Sequence, residues 1–175
     1  MNLSYNRWKK LLIFCMGLAI SATFCMKWME NDFWVKGEKF TIIGLELFYP
    51  KEKVIAILSN LDGHVKTILN YHLHFDFAFM AGIFPGIAAL CMMGREKVIS
   101  NRLKKILFVL ASIQLLAWAG DITENLYLIK WVNQPAIGNE FALYHFIVAA
   151  KWIIALIAFI FSAVVLLLRF KTKRR

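Results

Sequence analysis

The sequence predicts an all-α membrane protein: a bundle of four transmembrane helices, with a short helical and partly extended segment between the first and the second. Three observations predict it. Apolar residues make up 60% of the 175 residues, and mean hydropathy is +0.60. They run in long blocks rather than at amphipathic spacing, and blocks of about 18 or more mark membrane spans. Basic residues gather in alternate connections, as they do when cytoplasmic loops are enriched in Lys and Arg.

The first block follows Arg7, Lys9 and Lys10 and spans about residues 11–28. A basic start and a short apolar core also suit a signal peptide, with Ser21-Ala22-Thr23 as its cleavage sequence. The apolar run continues through Phe24, Cys25 and Met26, which favours a retained span. Cys15, Cys25 and Cys91 all fall within spans and form no CxxC pair, so they are expected to be packing residues.

Residues 29–70 form the extracytoplasmic segment. Trp28, Phe33 and Trp34 suit an interface belt. Phe40 to Phe48 is rich in β-branched and aromatic residues and is expected to be extended. Pro50 and Glu52 then signal a helix start, and Val54, Ile57, Leu58 and Leu61 recur at helical spacing. Asp62-Gly63 supplies its stop, and a new helix from Val65 leads into the second span.

The remaining spans cover about residues 71–93, 105–128 and 145–168, and the 175 residues make a single membrane domain. In the second, Ala78, Gly82 and Gly86 form a small-xxx-small stripe for close helix approach, within the bundle or across a homo-oligomer. Pro85 beside it is expected to kink the helix.

Charge placement sets the orientation. The N-terminal segment, the connection between the second and third spans, and the C-terminal run hold 13 of the 21 basic residues and one acid, Glu96. The other two connections, counted with Lys27 at the end of the first span, hold seven lysines against seven acids. Both termini are therefore expected in the cytoplasm, with the protein in the plasma (inner) membrane and membrane lipids as partners. The net charge of +10 does not point to nucleic acid, because no basic domain interleaved with aromatics lies outside the spans.

Ionisable residues inside a span are expensive, so each needs a partner or a purpose. Four are present: Asp76, Asp121, Glu124 and Lys151. They come from three helices, yet the predicted topology puts all four in the outer part of the membrane. Asp121, Glu124 and Asn125 share a helix face, with Gln114 two turns away on the same stripe. Tyr144 shares the face of Lys151, and His72 that of Asp76. Three carboxylates around one lysine leave two negative charges that a low dielectric disfavours. Three outcomes answer this: a protonated histidine, a protonated carboxyl or a bound cation.

Several readings follow. The cluster is a packing device that holds helices in register; or it is a site for a lipid or another amphiphile. In an enzyme, Asp121 and Glu124 would be the acid and base, and Lys151 would stabilise negative charge. Asp76, His72, Asn125, Gln114, Tyr144 and His145 would then bind or orient the ligand. A metal site of His72, Asp76, Glu124 and His145 lacks the HxxxH or ExxH spacing, and neither metal nor cofactor is expected. Proton or ion transport would require oligomers.

Tyr49-Pro50 with its short helix, His74-Phe75-Asp76-Phe77-Ala78-Phe79, Asp121-Ile122-Thr123-Glu124-Asn125 and Lys151-Trp152 occur in that order. In this the chain resembles a group of small uncharacterised four-span bacterial membrane proteins over about residues 40–160. They show an Asp-Phe-x-Phe span start, a D-x-x-E-N element and a lysine in the last helix. A tyrosine usual in that group gives way here to Pro85-Gly86. The resemblance implies the architecture and the choice of residues, and carries no activity.

Overall fold

The structure is a computed structural model and describes residues 3–168. The basic run from Arg169 to Arg175 lies outside the described residues. The elements in order are helix α1 (Leu3–Met29), a 3-10 turn (Glu30–Asp32), strands β1 (Trp34–Val35) and β2 (Glu38–Lys39), a π-helical turn (Gly44–Phe48), and helices α2 (Lys51–Ser59), α3 (Gly63–Lys97), α4 (Asn101–Asn133) and α5 (Glu140–Leu168).

Four helices, α1, α3, α4 and α5, are long and apolar enough to cross a membrane. They outrun the apolar blocks by up to two turns, because a helix stops at its caps rather than where hydropathy falls. α3 is the clearest case. The Asp62 side chain accepts from Val65 N at 2.8 Å and starts the helix eight residues before the apolar block. The expected stop for α2 is therefore the cap of the next helix, and α2 ends at Ser59 with Asn60 as its C-cap. Large apolar side chains such as Phe14, Phe24, Leu116, Phe146 and Ile153 point outward along the four helices. Exposed apolar surface on this scale is what a lipid environment covers.

The bundle is not a symmetric square. α3, α4 and α5 pack on one another, whereas α1 packs chiefly against α3. Half of the most apolar stretch of α3 is buried, against 17% of the same stretch in α1, which makes α3 the central helix. The small-residue stripe explains the α1 contact. A Cβ added to Gly82 would lie 2.7 Å from Ala19 N and Cys15 O, so the two backbones touch there. At Gly86 it would lie 3.3 Å from the Cys15 Cβ. Gly82 and Gly86 thus make the close approach expected within the bundle. Helix α3 is continuous through Pro85.

The connection over residues 30–62 departs from expectation. β1 and β2 form a hairpin through Lys36-Gly37, but Phe40 to Phe48 is not extended. It turns into the π-helical turn, held by Leu45 N to Thr41 O at 3.1 Å, Gly44 N to Thr41 Oγ1 at 3.0 Å and Tyr49 N to Gly44 O at 2.7 Å. The Tyr49 ring lies against Gly44, where a side chain would collide with it. Phe33, Phe40, Ile42, Leu45, Val54 and Leu58 bury against Leu69, Leu73, Leu128, Trp131 and Tyr144. The connection thus folds down as a cap on one end of the α3–α4–α5 bundle. Strand propensity loses here to the burial of this apolar face.

Candidate functional site

Beneath the cap, Asp76, Asp121 and Lys151 lie 11 to 13 residues from the capped ends of α3, α4 and α5. At about 1.5 Å per residue this is roughly 17–20 Å, one common level. Their convergence is direct. The Lys151 ammonium contacts both Asp121 Oδ1 and Glu124 Oε2, which stand one turn apart on α4. Asn125 Nδ2, on the same face, donates to Asp76 Oδ2 at 2.8 Å and to the Leu73 carbonyl at 3.1 Å. Asp121, Glu124, Asn125 and Lys151 are all at most 6% exposed, whereas Asp76 is half-buried.

The structure adds a member that sequence reasoning missed. Glu46, half-buried on the π-helical turn, brings its carboxyl within electrostatic reach of Lys151, Asp121 and Glu124. Burial pushes this carboxyl up to about 7; the Lys151 ammonium pulls it down and Asp121 pushes it further up. Four carboxylates now surround one ammonium. Fully ionised, they would leave three uncompensated negative charges, which protons or a cation must offset. A signal for Glu46 was present: a lone acid inside the apolar run Phe40–Phe48 needs the same explanation as one inside a span.

The other expected members divide. Tyr144 is fully buried beside the site, packs against Trp131 and Phe141, and aims its hydroxyl at the Leu45 carbonyl, at a long 3.5 Å. His72 stands apart from the cluster: it is 1% exposed, its Nε2 lies 3.5 Å from Glu30 Oε1, and its ring tilts on Phe33. Glu30 in turn accepts from Lys27 at 2.7 Å. His145 packs on Phe141, and Gln114 donates to Leu110 O of its own helix at 3.2 Å. Among the described residues, no three His, Cys, Asp or Glu side chains are placed to hold a metal ion.

The chemistry open to the cluster is proton transfer between carboxyls and charge stabilisation by Lys151. Among the described residues a nucleophile is not at hand: Ser162 bonds to its own helix at Ala158 and Phe159, and Cys91 lies 3.8 Å from the Ala158 carbonyl. No family model, curated protein or solved structure matches the chain.

Proposed function

We propose that this is a multi-pass inner-membrane protein, with both termini cytoplasmic and the cap on the outer face, whose capped carboxylate site binds the polar head of a lipid or another amphiphile. One observation carries the reading: four carboxylates from two helices and the cap gather around a single lysine on a third helix, two of them in contact with it. A helix clamp needs one pair; the surplus acids are suited to a polar or cationic group arriving from the outer leaflet. In a catalytic version Asp121 and Glu124 exchange protons with the ligand and Lys151 holds developing negative charge.

A second reading has its own support. Lys151 and Asn125 already have partners, and the hollows of about 440 and 130 Å³ are lined by Thr67, Asn70, Tyr71 and His74 and by Arg95, Glu96 and Lys104, away from the cluster. A closed, paired network is what a packing device requires.

Native mass spectrometry and lipid extraction on the purified protein separate the two. Under the first reading an amphiphile copurifies with the wild type and is lost from folded Lys151→Met/Asp121→Asn/Glu124→Gln. A wild type that carries no selected amphiphile, or a variant that keeps it, supports the packing reading.

A further inference from the structure

At the end of the bundle opposite the cap, α3 closes on Arg95, Glu96 and Lys97, and α4 opens three residues later with Arg102, Lys104 and Lys105 in its first turns. Arg95, Glu96 and Lys104 line a hollow of about 130 Å³ where the two helices meet. That is the share of about four water molecules, which the five heavy atoms of a phosphate group fill. Among the described residues, neither Arg95 nor Lys104 has a carboxylate within ion-pair distance. Glu96, the one acid here, accepts from Ser4 Oγ of α1 at 3.2 Å.

Arg95 is held at the edge of the apolar belt. Its guanidinium lies 5.4 Å from the centroid of the Phe108 ring, and Phe108 is 51% exposed on the outer surface of α4. The Arg95 Nε is shielded from solvent and has no acceptor among the described residues, so the guanidinium gains from an acceptor brought to it. Below it, Phe108, Ser112 and Leu115 form one exposed stripe of α4. Ser112 turns its hydroxyl back onto the Phe108 carbonyl at 3.0 Å, which leaves the stripe apolar. A cationic hollow thus stands at the head of an apolar track.

We propose that this hollow binds the phosphate group of an anionic membrane lipid, with Arg95 and Lys104 on its oxygens and an acyl chain along Phe108, Ser112 and Leu115. A guanidinium presents paired N–H donors that match phosphate oxygens, and the lysine adds a point charge. Residues 95–105 hold five cations against Glu96, so the net field favours an anion. A zwitterionic lipid brings the same phosphate with a cation attached, which that field repels. A free phosphate shares the chemistry but lacks the chain. In the proposed orientation the hollow faces the cytoplasmic leaflet, where anionic lipids gather. The site is independent of the carboxylate cluster and stands whether or not that cluster binds an amphiphile.

Native mass spectrometry of the full chain in detergent tests this, with phosphatidylglycerol and phosphatidylcholine of matched chains titrated separately. The wild type should hold phosphatidylglycerol about tenfold or more tightly than phosphatidylcholine, and Arg95→Gln/Lys104→Gln should abolish that preference. Arg102→Gln/Lys105→Gln removes the same charge at exposed positions outside the hollow and should leave the preference within about threefold of wild type. Millimolar inorganic phosphate should not displace the lipid. In nanodiscs, phosphatidylglycerol should slow hydrogen exchange of wild-type residues 98–104 relative to phosphatidylcholine, a readout that decides even if the paired variant fails to fold. A wild type without preference, equal losses in the two paired variants, displacement by inorganic phosphate, or unchanged exchange over 98–104 would each overturn the site.

Discussion

Replacing Lys151 with methionine removes the ammonium that Asp121 and Glu124 share and leaves two buried carboxylates without it. Breaking a buried pair costs about 3–5 kcal/mol, because the remaining charge is uncompensated. For a chain of this length each kcal/mol is worth about 2–4 °C, so the melting temperature in detergent at neutral pH should drop by roughly 10 °C. The loss should shrink as pH falls, since a proton can replace the missing ammonium at one carboxylate. The structure also says which variant restores stability. Because Lys151 touches both acids, Lys151→Met/Asp121→Asn/Glu124→Gln removes every charge of the contact, whereas Lys151→Met/Glu124→Gln leaves Asp121 charged. The triple variant should recover most of the lost melting temperature, as neutral replacements of buried ion pairs often do. Thermal melts of single and triple variants at pH 5 and 7.5 read both effects. A single variant as stable as wild type, or a triple variant weaker than the single, would refute the idea that these charges hold one another.

Asn125→Leu deletes the donor shared by Asp76 and the Leu73 carbonyl, and should cost about 1–3 kcal/mol in a melt. Gly82→Ala forces a methyl against the α1 backbone and should cost about 1–3 kcal/mol, whereas Gly86→Ala, facing a movable Cys15 side chain, should cost less. Reporter fusions at residues 58 and 136 should behave as external, and one at residue 98 as cytoplasmic. A reporter at 98 that behaves as external would reverse the proposed orientation.

The features legible in the sequence are those governed by local period and by depth. Asp121, Glu124 and Asn125 share a face because helix geometry demands it. Their meeting with Lys151 and Asp76 follows once three helices cross one layer at a common level. The cap was legible only in part: its short helix after Pro50 was expected, but the path of residues 40–48 was not, for the converse reason. Its chain direction is set by burial of Phe33, Phe40 and Leu45 against other helices, which neither strand propensity nor spacing reports. Glu46 was lost with it, and so was the partner of His72. One-turn spacing put His72 near Asp76 on the helix surface, but Glu30, at the start of the 3-10 turn after α1, is what stands beside it. The span bounds are shorter than the helices because apolar blocks mark membrane contact, while the helix expected from Val65 starts at Gly63, capped by Asp62.

The division of the ion pair between α4 and α5 bears on how the protein is made. The ribosome delivers α4, with Asp121 and Glu124, before Lys151 exists. Each such acid opposes insertion, by at most the roughly 2.5–3.5 kcal/mol that a charge costs at the centre of a span. Helix α5, the most apolar of the four, follows after the short connection 134–139 and brings the counter-charge with it. On this account α4 and α5 enter the bilayer as one hairpin, α4 waiting at the translocon until its lysine arrives.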